Sequence, residues 1–243
     1  MLRLICTENY DEMSRRAALM IASQVIAKED SVLGLATGST PIGTYAQLAA
    51  MHDAGDLDFA KIRTANLDEY RGLPADHDQS YRYFMEKHLF SKVNIKPENI
   101  HIPNGCAEDT AAECSAYDEL IRSMGGIDLQ LLGLGHNCHI GFNEPSDRFV
   151  KETHEVQLTE RTIEANSRLF DDISQVPRAA LTMGIGAIFS AKRVLVIVSG
   201  ADKAEAVKNS FFGPITPNAQ ASILQLHPDV TVIADKEAAG GLF

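Results

Sequence analysis

Leu131-Leu-Gly-Leu-Gly-His-Asn-Cys-His-Ile-Gly-Phe-Asn-Glu-Pro145 is the stretch that decides how this chain is read. It continues Ile127-Asp-Leu-Gln-Leu-Leu132, an apolar run of strand length that breaks at Gly133 and Gly135. His136, Asn137, Cys138, His139, Asn143 and Glu144 follow, and Pro145 closes the segment. A buried strand that empties into a glycine-containing turn with ionisable side chains is how an open parallel sheet presents a site. Ligands in such sheets lie beyond the carboxyl ends of the strands. A polar loop with a satisfied histidine is the plainer reading. The number of polar side chains after one strand end favours function over it.

The same pattern recurs on either side. Val32-Leu-Gly-Leu-Ala36 reads as a strand, then comes Thr37-Gly38-Ser39-Thr40-Pro41, then a helix carrying Tyr45, Leu48 and Met51. Arg63–Leu67 reads as a strand ending in Asp68-Glu-Tyr-Arg-Gly-Leu-Pro74. Arg193-Val-Leu-Val-Ile-Val-Ser199 is the clearest buried strand, with Gly200-Ala-Asp-Lys203 at its end and a helix over Ala204–Phe211. Leu2–Cys6 and Asp229–Asp235 are further strands, and His101–Gly105 is a short extended piece. Helical spacing runs through residues 10–28, around 79–90 and through 107–124. Thr153–Leu158 alternates as an edge strand does, Thr159 opens a helix through Arg168, and Ala180–Gly184 leads into Ile185–Ala191. Strands alternating with helices predict an α/β fold with a doubly wound, mostly parallel open sheet and helices on both faces, Rossmann-like in outline. No repeat or linker interrupts the pattern, so residues 1–243 read as a single domain.

Composition narrows the classes. The 243 residues are 45% hydrophobic and 23% charged, ordinary for a globular chain with a large core. Cys6, Cys106, Cys114 and Cys138 show no C-x-x-C spacing, which suggests neither a disulfide framework nor a zinc ribbon. The apolar run at the start is too short for a signal peptide, and no stretch is long enough to span a membrane. A cytoplasmic location is therefore expected. A net charge of −11 argues against a nucleic-acid partner. It also requires that an anionic ligand be held by local positive groups, because the overall field repels it.

Thr37-Gly-Ser-Thr-Pro41 joins a strand to a helix. Backbone N–H groups at a helix N-terminus bind anions, and the hydroxyls of Thr37, Ser39 and Thr40 add donors. It is no Walker A loop, so a small phosphate ester fits better than a nucleotide, and a plain helix cap is the bland alternative. Gly133-Leu-Gly135 is not a dinucleotide fingerprint, since Cys138 holds the third glycine position. Asp68 and Glu69 are either a general base at a strand end or a solvated acidic turn. His139 and Glu144 are spaced to form an acid–base couple in a tight turn, with the Asn137 side-chain oxygen placed to orient the ring. A zinc site on His136, Cys138 and His139 would need neighbouring side chains to converge on one ion, which short turns rarely allow. No cofactor is expected. Lys203 and Arg168 are either surface charges or contacts to a ligand phosphate.

Several of these segments together resemble the glucosamine-6-phosphate deaminase family. They are Leu35-Ala-Thr-Gly-Ser-Thr-Pro41, Asn66-Leu-Asp-Glu-Tyr70, His139-Ile-Gly-Phe-Asn-Glu-Pro145, Ala165-Asn-Ser-Arg168 and Ser199-Gly-Ala-Asp-Lys-Ala-Glu-Ala206. The resemblance spans about residues 2–238, and the His-Ile-Gly-Phe-Asn-Glu-Pro run is its most specific part. It implies conversion of glucosamine 6-phosphate and water to fructose 6-phosphate and ammonia with no metal or organic cofactor. It makes Asp68 the base at C2, and His139 the ring-opening acid–base supported by Asn137 and Glu144. It places the phosphate on Thr37, Gly38, Ser39, Thr40, Arg168 and Lys203. Many members carry aspartate at position 137 and glycine or alanine at 138, where this chain has Asn137 and Cys138. Members activated by N-acetylglucosamine 6-phosphate carry basic side chains where this chain has His154 and Val156, and they run further than Phe243, so the resemblance is to a compact, unregulated form. A lactonase or another sugar-phosphate isomerase of the same superfamily shares the phosphate loop but is disfavoured by Asp68 and the His139–Glu144 segment. A sugar-phosphate sensor would need a DNA-binding element, and no basic helix is available for one.

Overall fold

Parallel strands covered on both faces need near-continuous apolar runs, and this chain supplies them. In the computed structural model, which describes residues 1–158, 163, 172 and 175–243, those runs form a seven-stranded sheet. Its strands are β1 (Leu2–Thr7), β2 (Val32–Leu35), β3 (Arg63–Asn66), β5 (Ile100–His101), β6 (Leu129–Leu132), β9 (Val194–Val198) and β10 (Val230–Asp235). They stand in the order β1-β10-β9-β6-β2-β3-β5, and every pairing is parallel. The doubly wound expectation holds. One face packs Leu33, Leu35, Leu131, Leu195 and Ile233 under helices α1 (Tyr10–Ala27), α2 (Ile42–Asp53) and α3 (Tyr81–His88). The other packs Val32, Leu132, Val196 and Val232 under α4 (Thr110–Ser123), α5 (Ile185–Phe189), α6 (Ala204–Phe211) and the short α7 (Lys236–Ala239). Strand side chains alternate between the two faces, so each strand feeds both cores.

Helix starts follow their caps. The periodicity over 107–124 resolves to α4 because Asp109 accepts from the Ala112 N–H at 3.0 Å. That around 79–90 resolves to α3 because Ser80 accepts from the Tyr83 N–H at 3.0 Å. Capping of this kind satisfies donors that the first helical turn leaves open. The helix expected from Thr159 to Arg168 lies, Ile163 apart, outside the described residues.

One element departs from the sequence reading. Residues 68–74 read as the segment that closes the third strand, with a solvated acidic turn as one alternative for Asp68 and Glu69, yet Asp68–Tyr70 is a strand of its own, β4. It pairs antiparallel with β8 (Ala179–Thr182), which pairs antiparallel with β7 (His154–Gln157). This small second sheet also claims the alternating segment 153–158, which is an edge strand there rather than in the large sheet. The hinge is Leu67. Its N–H donates to Leu35 O at 3.1 Å, a last rung of the parallel sheet, and its carbonyl accepts from Met183 N at 2.6 Å in the direction of the small one. Tyr70, Phe142, Leu158, Ile163, Val176 and Ala180 form a third apolar cluster beside it. No helix among the described residues is long and apolar enough to cross a membrane.

The two halves of the large sheet wind outward from the β2–β6 pair, so the loops after these strands leave in opposite directions and open a crevice at the carboxyl end. The amino end is tied shut instead. Asp128, 3% exposed, accepts from Val32 N at 2.8 Å, Lys28 Nζ at 2.6 Å and Lys192 Nζ at 2.7 Å, joining the entrances of β2, β6 and β9. Burial works to raise its pKa, but the hydrogen bonds from Lys192, Lys28 and Val32 outweigh it and hold the carboxyl below its usual range. Both lysines are partly exposed, so solvent screens part of their attraction. A depressed carboxyl stabilises the fold above its unfolded pKa and loses that contribution as acid protonates it. Asp128→Asn is expected to cost about 1.5–3 kcal/mol at pH 7, read as a lower urea midpoint with an unchanged slope. The gap from the native protein should narrow as pH falls below the usual carboxylate range.

Candidate active site

The crevice is a cleft of about 250 Å³ lined by Thr37–Pro41, Asp68, Tyr81, His136, His139, Phe142 and Lys203 among others. It therefore gathers the ends of β2, β3, β6 and β9. Nearly every described side chain proposed from the sequence lies on or beside it. Arg168 lies outside the described residues.

One end of the cleft suits an anion. Gly38 has φ +103°, a left-handed conformation that lets the chain fold back at the strand end. Tyr10 pins the turn, its hydroxyl donating to Ser39 O at 3.2 Å and accepting from Gly43 N at 2.8 Å. No side chain caps α2, whose N-cap position is Pro41. Among the described residues no hydrogen bond engages the N–H groups of Gly38, Ser39 or Thr40. Donors left open at a helix start carry partial positive charge and attract phosphate. Lys203, at the end of the turn Ala201–Lys203, lines the same cleft.

The other end holds two adjacent carboxylates with different environments. Glu69 accepts backbone N–H bonds from Tyr70 at 2.8 Å, Tyr81 at 2.9 Å and Arg82 at 2.9 Å, so it anchors the start of α3. Burial raises its pKa while those N–H groups oppose the rise. Asp68, 6% exposed, lines the cleft, and no described residue donates a hydrogen bond to it. Burial, with the neighbouring Glu69 charge adding to it, pushes its pKa up to about 8. A carboxyl tuned towards neutrality at a strand end is placed for proton transfer, and the two adjacent acids differ in setting: Glu69 is engaged by three backbone N–H groups and Asp68 faces the cleft.

Between the ends lies the turn 135–139. The Gly135 N–H donates to His139 O at 3.0 Å and the Cys138 N–H donates to Gly135 O at 3.0 Å. A Cβ on Gly135 would stand 2.4 Å from the His139 ring, so the imidazole lies directly across that glycine. His139 Nδ1 stands 3.1 Å from Glu144 Oε1, close enough for an ion pair though turned off the line of a hydrogen bond. The two side chains paired by their spacing thus stand within reach of each other. Asn137 acts differently from the sequence reading. Its side-chain oxygen accepts from the backbone N–H of His139 at 3.3 Å rather than from the ring, and its amide donates to Glu144. It fixes the turn and the carboxylate, and reaches the imidazole only through them. Cys138 sits at φ +67°, where glycine is the easy residue. Its side chain is buried, with Sγ 3.6 Å from Ala206 O, and packs into the core under α6.

The zinc alternative does not assemble. The Cys138 thiol points into the core, the His136 ring is bonded to Asp202, and no cluster of metal-ligating side chains forms among the described residues. Two cleft features escaped the sequence reading. Tyr81 stacks on Phe142 at 6.0 Å between centroids and 6° between planes, and its hydroxyl is engaged with Tyr70 and Thr37. Its only sequence signal was its place just after the capping Ser80. The His136–Asp202 contact joins residues 66 apart in sequence, which no local pattern reports.

Such a crevice, with an anion-binding turn at one end and acid–base groups at the other, defines an open-sheet α/β protein built to work on a small phosphorylated ligand. The chain belongs to the family described as glucosamine-6-phosphate isomerases/6-phosphogluconolactonase, whose model matches residues 7–230. It is 56% identical over 232 residues to a protein of Lachnoclostridium phytofermentans named glucosamine-6-phosphate deaminase, covering 96% of this chain and 98% of that one. It is 54% identical over 238 residues to a protein of Halothermothrix orenii with the same name, covering 98% and 99%. A solved monomeric glucosamine-6-phosphate deaminase superposes with a TM-score of 0.95 at 48% identity, over 98% of this chain and 99% of that chain. A 6-phosphogluconolactonase from Thermotoga maritima, 19% identical with a TM-score of 0.76 over 97% and 100%, shares the fold.

The raised Asp68 carboxyl has a cost that can be measured. Below the ordinary carboxylate pKa both folded and unfolded chains carry the proton, and no penalty exists. Above it the unfolded chain ionises while the folded one resists, so the penalty grows until about pH 8 and then stays. Asp68→Asn should therefore raise the Tm of the ligand-free protein at pH 9 and change it little at pH 4. An equal shift at both pH values would refute the raised pKa.

Proposed function

We propose that this chain catalyses aldose–ketose isomerisation and hydrolytic deamination of glucosamine 6-phosphate, giving fructose 6-phosphate and ammonia in amino-sugar catabolism. The observation that carries the reading is the cleft itself. A buried, proton-accepting carboxyl and a histidine–carboxylate couple stand at one end, and an open anion-binding turn with Lys203 stands at the other. The relatives' names point to the same substrate. With a chain of net charge −11, the ligand phosphate is held by local groups: the N–H groups and hydroxyls of Thr37, Gly38, Ser39 and Thr40, with Lys203 and Arg168.

With the phosphate so placed, the sugar reaches the acid–base end. His139 takes the proton of the anomeric hydroxyl and returns one to the ring oxygen, so the ring opens. Glu144 stabilises the imidazolium formed on the way, and Asn137 holds Glu144 in place. Asp68, ionised, then accepts the proton from C2 while electrons shift towards C1, and an enolamine forms. Return of the proton to C1 leaves an imine at C2. Water adds to it, ammonia leaves, and the ketose remains. Each step is proton transfer or hydrolysis, and the groups needed are on the chain. The four cysteines are free, as a reducing cytoplasm would leave them, and the proposed enzyme acts there on a free sugar phosphate as one domain over residues 1–243.

A coupled assay supplying glucosamine 6-phosphate and measuring both fructose 6-phosphate and ammonia tests the reading. Hydrolysis of 6-phosphogluconolactone with no ammonia from the amino sugar would replace it. Loss of a general base costs about a hundredfold to ten-thousandfold. Asp68→Asn should lose that much in ammonia release and in exchange of the C2 hydrogen with deuterated water. His139→Gln should slow the closed sugar more than an open-chain analogue. Near-native C2 exchange in Asp68→Asn would remove Asp68 from the role.

A further inference from the structure

A lysine is one compact charge on a four-carbon stem with three rotatable donors, and left alone it samples many positions before an anion arrives. Lys203 is not left alone. Its Nζ lies 3.2 Å from Nδ1 of His136, and Nε2 of the same ring is hydrogen-bonded to the Asp202 carboxylate. An ammonium can only donate and an ionised carboxylate can only accept. The ring between them presents Nε2 to the carboxylate and Nδ1 to the ammonium, and so links the two groups. Hydrogen bonding to His136 holds the Asp202 carboxyl below its usual range, which keeps it an acceptor.

The backbone supports each member. His136 follows Gly135 in the turn that carries His139. Asp202 and Lys203 share the short 3-10 turn after β9, entered through Gly200 at φ +99°. The Gly200 N–H is bonded to Asp235 at the end of β10. The contact thus bridges the ends of β6 and β9 across one wall of the cleft, and both His136 and Lys203 line it. His136 is otherwise unexplained, since the ring-opening role belongs to His139.

We propose that Asp202 and His136 are positioning residues for Lys203, holding its ammonium in the cleft so that a ligand phosphate meets a cation already in place. The inference rests on the reading of Lys203 as a phosphate contact. Each substitution that removes this contact restores motion that binding must then remove, an effect of roughly three- to tenfold in affinity. It falls on binding shared by ground and transition states, so it enters KM and not kcat.

The test measures kcat and KM for glucosamine 6-phosphate, and competitive inhibition by inorganic phosphate, in the whole enzyme. The variants are His136→Ala, Asp202→Asn, Lys203→Ala and the double substitution His136→Ala with Lys203→Ala. His136→Ala and Asp202→Asn should each raise KM and the phosphate inhibition constant by roughly three- to tenfold, with kcat changed less than twofold. In the Lys203→Ala background, His136→Ala should have no further effect, because it acts only through the lysine. An equal penalty in both backgrounds overturns the proposal, as the imidazole would then contact the ligand itself or merely shape its loop. Unchanged KM in both His136→Ala and Asp202→Asn, with KM raised in Lys203→Ala, overturns the positioning role alone. Unchanged KM in Lys203→Ala removes the phosphate role on which it rests.

Discussion

The pairing of β2 with β6, Leu33 against Leu129 and Gly34 against Gln130, is the seam on which this molecule depends. From it the chain winds outward both ways, so the loops after these two strands part and leave the only natural crevice of such a sheet. The seam has a strict local requirement. A Cβ on Gly34 would stand 2.0 Å from the Gln130 side-chain oxygen, so the glycine lets a buried polar side chain lie across its neighbour. The Asp128 contacts close the amino end of the same strands. A fixed floor and a divided top together set where the anion-binding turn and the histidine loop must stand.

Asp68 and Glu69 show how far environment outweighs residue type. They are adjacent, acidic and buried, yet one takes three backbone N–H bonds and the other none from described residues. The difference follows from strand pleat. Successive side chains of β4 point to opposite faces, so Asp68 meets the cleft while Glu69 meets the start of α3. The hinge at Leu67 decides which is which, since a shift of one residue would exchange them.

The large sheet was legible because buried parallel strands leave unbroken apolar runs, and Val194–Val198 and Leu129–Leu132 are such runs. The strand-end loops were legible because Gly38, Gly135 and the polar residues beside them interrupt those runs. The small antiparallel sheet was not. Asp68-Glu-Tyr has no apolar alternation, and its pairing with Ala180–Thr182 spans more than a hundred residues. The orientation of Asn137 was misread for a related reason: spacing along a chain says which groups are near, not which of two acceptors or donors a turn presents. The Asp202–His136–Lys203 arrangement is likewise a product of tertiary proximity.

The burial of Asp68 also bears on how the cleft answers the charge of what enters it. Burial pushes this carboxyl up to about 8, so it keeps its proton further into the neutral range than an exposed acid does. An amine on a carbon beside it arrives as a cation, and a positive charge that close draws the carboxyl back towards its ionised form. A hydroxyl at the same carbon brings no such charge. The charge of the cleft is thus set in part by what enters it: a cationic ligand draws the carboxyl towards its ionised form, and a neutral one of the same size does not.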